Sequence, residues 1–234
     1  PNMVSDRVGR LLSKSNVTHV AMGIECGNNE VATNLLKRAT KNEKIFEAAE
    51  ILHKYKIKLI TLNLVGLPVE NPLEIDLETL DMNLKIKPDF AWSSILYPYP
   101  GTELGDLATR HGFFDGDFEK VQISNKTSSN MDLGNKKTNL QINNLHKLMG
   151  VIVQFPFLRP FTKFLISLPI TRFYQYVYFA LYGYKFLRQS SMKGIAKNLW
   201  QYIIFYFKYV GRLEKKIGFK KTPIKKESPK AEAA

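Results

Sequence analysis

Three β-rich runs, Val17–Gly23, Lys58–Val65 and Asp89–Leu96, are each followed by a segment with helical apolar spacing. This alternation restricts the fold more than any other feature of the sequence. A short helix is expected over 3–13, ahead of the first run. Asn29–Lys37 brings Val31, Leu35 and Leu36 to one side. Thr40-Lys41-Asn42-Glu43 has the form of a capping box, in which hydroxyl and carboxylate satisfy each other's backbone N–H; Ile45, Ala48, Ala49 and Leu52 then recur at helical spacing. Asn71 and Pro72 read as N-cap and first helical residue ahead of an apolar stripe of Leu73, Leu77, Leu80 and Leu84. A last short helix is expected over 102–111. This order predicts an α/β fold with parallel strands and crossover helices on one side. Three strands are too few for a closed eight-stranded barrel, so they form the later part of a larger barrel or of an open sheet. In both arrangements ligands meet the C-terminal ends of the strands. The informative residues should therefore follow Gly23, Val65 and Leu96.

Charge divides the chain. Residues 1–150 carry 18 basic and 18 acidic residues, whereas 151–234 carry 16 basic and 3 acidic, so the whole net charge of +13 lies in the last third. Nineteen of the 28 aromatic residues fall between 151 and 220. The composition shift, with the polar run Ser124–Asn130, places a boundary near 125–140. The expected organisation is a strand–helix part over 1–125, a linker over 126–139, a helical basic and aromatic region over 140–221 and a disordered tail over 222–234. With one cysteine, Cys26, no internal disulfide forms. The four histidines are scattered, so a self-contained transition-metal centre is not expected. Without a signal segment the chain reads as cytoplasmic.

The strand ends carry the chemistry. Gly23-Ile24-Glu25-Cys26-Gly27-Asn28 follows the first run, Asn63-Leu64-Val65-Gly66-Leu67-Pro68-Val69-Glu70 the second and Tyr97-Pro98-Tyr99-Pro100-Gly101-Thr102-Glu103-Leu104 the third; Leu35-Leu36-Lys37-Arg38 lies between the first two. Together, in this order, they resemble the radical S-adenosylmethionine (radical SAM) enzymes. The closest likeness is to the subgroup with an N-terminal cobalamin-binding domain. It is close over about 1–115 and looser beyond. The resemblance implies the later part of a partial (β/α) barrel followed by an all-α basic C-terminal region. It implies that Glu25 accepts from the ribose hydroxyls or the ammonium of SAM, and that Arg38 pairs with the SAM carboxylate, a task suited to a planar guanidinium. It implies further that the backbone at Val65 and Gly66, in the stretch opened by Asn63, lies against the adenine, as do Tyr97 and Pro98. Other readings stand beside these. Glu25 caps the next helix, Arg38 is a surface residue favoured by a helix C-terminus, 63–70 is an ordinary strand-to-helix loop, and Tyr97-Pro98 is a rigid turn.

The family's Cys-x-x-x-Cys-x-x-Cys motif, whose thiolates hold the [4Fe–4S] cluster, does not occur in this sequence, nor does the Gly-Gly-Glu-type motif. Cys26 is expected as a packing residue. The expectation is a C-terminal part of a longer enzyme. The cluster ligands and any cobalamin site would lie outside this chain, which alone would bind no cluster and cleave no SAM. Its partner would be the N-terminal part of the same enzyme.

The back half reads as helices over 140–155, 157–168, 170–188 and 194–217, punctuated by Pro156, Pro160 and Pro169. The apolar core Tyr176–Tyr184 is too short to span a bilayer. Basic residues mixed with Phe, Tyr and Trp suit either a helical cap or a helix in the membrane interface, peripheral at the inner face. Six lysines between 215 and 226, with no acid among them, strengthen the second reading. Nucleic-acid binding is less favoured, because the aromatic residues keep the helical spacing of buried positions. Two functions follow. The first is a part of a radical SAM enzyme, cobalamin dependent, that methylates or rearranges an unactivated carbon on a substrate such as a lipid or tetrapyrrole. The second is a non-catalytic basic module that binds anionic membranes or RNA.

Overall fold

The computed structural model describes residues 1–117 and 129–189, with side chains as far as Lys185. Helix α1 (Asp6–Lys14) leads into β1 (His19–Glu25). Helices α2 (Asn29–Asn34) and α3 (Asn42–Lys54) join it to β2 (Lys58–Val65), and α4 (Pro72–Ile86) joins β2 to β3 (Phe90–Ile95). Then follow α5 (Glu103–Arg110), α6 (Lys136–Gln154), a 3-10 helix (Pro156–Phe161), α7 (Thr162–Ser167) and α8 (Thr171–Gln189). The strands form one parallel sheet in the order β1-β2-β3, as the alternation requires.

Alternate strand residues face a helix layer. Met22, Ile24 and Leu59 pack with Ile45, Ala48, Ala49 and Leu52 of α3, while Val65, Ala91 and Ile95 pack with α4 and α6. Leu52, Leu59 and Leu80 are fully buried, and each such side chain contributes about 1.5–3 kcal/mol. Polar groups on β2 and α4 in this layer pair with one another. The Thr61 hydroxyl donates to Asn83 Oδ1 at 2.5 Å, and Asn83 Nδ2 donates to Asn63 Oδ1 at 2.7 Å. Gly27 lies so close to α4 that a Cβ there would stand 2.7 Å from Glu78 O, and its N–H donates to Thr79 Oγ1 at 2.9 Å.

Among the described residues the other face of the sheet is partly open, with α8 against it at β3. Gly23, Leu62 and Trp92 are register neighbours on it, with Leu64 and Ser94 in the next row. Leu62 is 38% exposed, although it sits in the central strand. On this face Trp92 meets the Tyr182 ring of α8, with centroids 4.3 Å apart. Among the described residues no strand pairs with the outer edge of β1.

Helix α6 belongs to the helix layer. The Ser93 hydroxyl donates to His146 O at 2.7 Å, and a Cβ on Gly150 would stand 3.0 Å from Ala91 O. Asn144 Nδ2 donates to Ile166 O and Leu168 O, tying α7 to α6. Residues Pro1–Tyr182 make one compact unit, and the expected boundary at 126–139 falls within it. The second unit is Gly183–Ala234, of which the last turns of α8 are described. The expected helix over 194–217, the lysine-rich stretch and the tail over 222–234 lie outside the described residues.

Local expectations failed where a tertiary partner replaced a local one. The box at Thr40–Glu43 does not cap α3. Its N-cap is Lys41, without a side-chain bond, and Asn29 Oδ1 of α2 takes the Asn42 N–H at 3.0 Å instead. Asn71 stands at the N-cap of α4 but makes no capping bond. The helix expected over 29–37 stops at Asn34, because Lys37 at φ +52° reverses the chain and Arg38 N–H returns to Ala32 O.

Candidate functional site

That reversal positions a side chain. It brings Arg38 back to the end of β1, where Arg38 Nη1 lies 2.9 Å from Glu25 Oε1. The strand prepares the other half. The register shifts between Gly23 and Glu25, and Glu25 takes φ +64°. A bulge of this kind re-aims the side chain that follows it, and a left-handed non-glycine residue stores strain that is concentrated at functional sites in general. Gly23 supplies the room. A Cβ there would point onto the open face and stand 2.7 Å from Glu25 Oε1 and 3.5 Å from both terminal nitrogens of Arg38. The ion pair therefore lies over the open face. Its side chains remain 27% (Glu25) and 29% (Arg38) exposed, within reach of a ligand.

A second feature lies at the ends of β2 and β3. Leu64, Ile95, Leu96, Tyr97, Tyr99 and Leu104 line an apolar recess of about 210 Å³. Complete small-molecule sites run to roughly 300–1,000 Å³, so this one has room for a ring and not for a whole cofactor. The Tyr97 and Tyr99 rings stand 6.5 Å apart beside it. Lys37, next to Arg38, reaches Glu103 in the first turn of α5 at 3.8 Å, beside recess residues Thr102 and Leu104. The ion pair and the recess are thus neighbours at one end of the sheet.

The structure separates the remaining candidates from these. Asn63 faces the helix layer, where its Nδ2 donates to Trp92 O at 2.8 Å and its Oδ1 accepts from Asn83. Val65 is fully buried in the core beneath α4 and α6. Gly66, at φ +73°, turns its Cβ direction toward Leu133 and Ile142, and its N–H is held by the Asp76 carboxyl at 3.0 and 3.1 Å. Pro98 is buried. The side chains of Asn63 and Val65 therefore build the scaffold. Glu25 does not cap α2 either: Asn28 does, accepting from Val31 N–H at 3.0 Å.

Sequence reasoning missed Asp76. It is fully buried, and desolvation pushes its carboxyl well above the ordinary value of 3.8, against the opposing pull of the Gly66 N–H. Its spacing within the apolar stripe of α4 gave no signal of this. Cys26 is buried in the core as expected, and burial pushes its thiol up to about 11.

The family model described as the Radical SAM superfamily matches residues 1–80 of the chain. No curated protein matches it. The match takes in Glu25, Arg38, Asn63, Val65 and Gly66 and stops short of Tyr97. Proteins of this superfamily use SAM together with a [4Fe–4S] cluster. The residues at the end of β1 fit the first: Gly23 leaves a cradle beside an accessible carboxylate and guanidinium. They do not fit the second. Cys26 is the sole cysteine of the chain, it is buried, and its raised pKa keeps it a thiol at neutral pH. Among the described residues no cluster of three or more His, Cys, Asp or Glu could hold a metal ion.

Proposed function

We propose that this chain is the SAM-binding later part of the barrel of a radical SAM enzyme. The observation that carries the reading is the Glu25–Arg38 ion pair, held over an open sheet face by a bulge and a chain reversal. The amino-acid end of SAM carries an ammonium and a carboxylate. Exchanging the internal pair for two external ones, Glu25 to the ammonium and Arg38 to the carboxylate, leaves no charge unmatched. The apolar recess beside Tyr97 takes the adenine ring. SAM held there would supply the radical chemistry of the superfamily.

The cluster ligands come from outside these 234 residues. The outer edge of β1, unpaired among the described residues, is where the N-terminal part of the barrel would add its strands. In the finer reading the enzyme depends on cobalamin and methylates or rearranges an unactivated carbon on an apolar substrate such as a lipid or tetrapyrrole, in the cytoplasm. Its support is the likeness of the strand-end motifs and the composition of the back half.

Calorimetric titration of the folded chain with S-adenosylhomocysteine tests the site. Saturable binding that weakens about tenfold or more in both Glu25→Gln and Arg38→Ala is expected. Binding that neither substitution changes, or no binding at all, removes the assignment. The genomic reading frame upstream of the codon for Pro1 tests the rest: an encoded Cys-x-x-x-Cys-x-x-Cys supports it, and an in-frame stop without that motif rejects it.

A further inference from the structure

The 3-10 helix and α7 present an aromatic stripe outward. Phe157, Phe161 and Phe164 are 69%, 59% and 65% exposed, and Phe155, whose ring stands 6.1 Å from that of Phe157, is 48% exposed. In α8, Phe173 and Tyr176 are similarly exposed. Isolated exposed apolar residues need no explanation, but a concentration of this kind within 22 residues marks an interaction surface.

Two ion pairs fix which side of the segment faces out. Arg159 closes on Asp81 of α4 through Nε and Nη2, at 2.5 and 2.7 Å, and Lys163 Nζ lies 3.2 Å from Glu74 of the same helix. Leu158, Leu165 and Ile166 pack into the core on that inner side. With the cations and aliphatic residues turned inward to α4, Phe157, Phe161 and Phe164 are left on the outer side. They are held there by structure and are not a frayed end.

The charge around the stripe indicates what it meets. Between 133 and 185, where side chains are described, the chain has seven basic residues and no acidic one. The acids that reach the segment from α4, Glu74 and Asp81, are each matched by one of its bases. Arg172 stands exposed next to Phe173. Among the described residues no helix is long and apolar enough to cross a membrane. Exposed aromatic rings with Arg172 beside them, on a stretch that carries no acid of its own, have the chemistry of an interfacial anchor: rings enter the headgroup region and cations meet lipid phosphates.

We infer that the exposed rings of Phe155, Phe157, Phe161 and Phe164 dock the protein peripherally on an anionic bilayer surface.

Co-sedimentation of the 234-residue chain with vesicles tests this. Phosphatidylcholine vesicles containing phosphatidylserine should bind it at least about tenfold more tightly than phosphatidylcholine alone. The triple variant Phe157→Ser, Phe161→Ser, Phe164→Ser should lose about tenfold or more of that binding. Circular dichroism of the variant should match the wild type, since all three rings are exposed. The single variant Arg172→Glu, far less demanding on the fold, should weaken binding and reduce its salt dependence. Several results would overturn the proposal. These are equal partition to neutral and anionic vesicles, undiminished binding by the triple variant, and a wild type that ignores vesicles but self-associates through these rings. Retention on single-stranded RNA in preference to vesicles, lost in the same variants, would also assign the face to another partner.

Discussion

Arg38 Nη1 stands 2.9 Å from Glu25 Oε1, so the two residues proposed to hold the amino-acid end of SAM neutralise each other. The arrangement depends on backbone that is unfavourable by itself: Glu25 and Lys37 both have positive φ. A partly exposed ion pair contributes only about 0–1 kcal/mol, while one left-handed non-glycine residue costs roughly 1–2 kcal/mol. The pair therefore does not offset the strain through stability; under the proposed function it serves ligand binding.

Glu25→Gly removes the strain and the carboxylate together, whereas Glu25→Gln removes only the charge. The Gly variant should melt at or above the wild-type temperature and the Gln variant slightly below it, a separation of about 1 kcal/mol. Both should lose affinity for S-adenosylhomocysteine. Thermal melts of the three proteins check the order, and a Gln variant more stable than the Gly variant contradicts it.

Asn63 has a structural role. Asn63→Ala leaves Asn83 Nδ2 without its 2.7 Å partner in a fully buried site, which costs roughly 1–3 kcal/mol. Urea unfolding should show this loss. Ligand affinity, measured where the variant is fully folded, should stay within about twofold of wild type.

Asp76 makes stability depend on pH. Its carboxyl is raised in the folded protein above the ordinary 3.8, so the folded state binds the proton more tightly than the unfolded state. The stabilisation is fully present below about pH 3.8 and is lost as pH rises through the higher folded value. Asp76→Asn keeps an acceptor for the Gly66 N–H and has no charge to bury. Its stability relative to wild type should increase as pH rises from 4 to 8, reaching on the order of 1 kcal/mol. Denaturant melts across that range test the slope, and a constant difference contradicts it.

Gly27 and Gly112 separate close approach from backbone conformation. Gly27→Ala drives a Cβ to 2.7 Å from the α4 backbone and should cost about 3 kcal/mol. Gly112 lies at φ +74° in open space, so Gly112→Ala should cost only about 1 kcal/mol. Comparing their chemical denaturation midpoints reads the difference.

Cys26 should react slowly with iodoacetamide at pH 8 in the folded chain and rapidly in urea, because burial keeps it a thiol with a pKa of about 11. Anaerobic reconstitution with iron and sulfide should leave the chain without stoichiometric four-iron clusters. Four irons per folded chain would show that another ligand set had been overlooked.

The order of elements was legible in the sequence because apolar periodicity is a local property. β2 lies at Lys58–Val65, where its β-rich run placed it, and the parallel sheet follows from the intervening helices. Residue type and motif order also singled out Glu25 and Arg38, which the fold brings together. What periodicity could not convey is direction and partnership. Asn63 belongs to the strand-end motif yet faces the helix layer, since its neighbours in the register set its side and Asn83 fixes its amide. Thr40 and Glu43 had the form of a cap, but Asn29 on another helix made the bond. The outward aspect of Phe157, Phe161 and Phe164 depended on ion pairs to Asp81 and Glu74, which lie more than 70 residues away in the chain. Local sequence thus determined where strands and helices form, through side-chain spacing. Tertiary structure decided which polar groups satisfy one another and which face meets solvent, because those outcomes depend on contacts between residues remote in the chain.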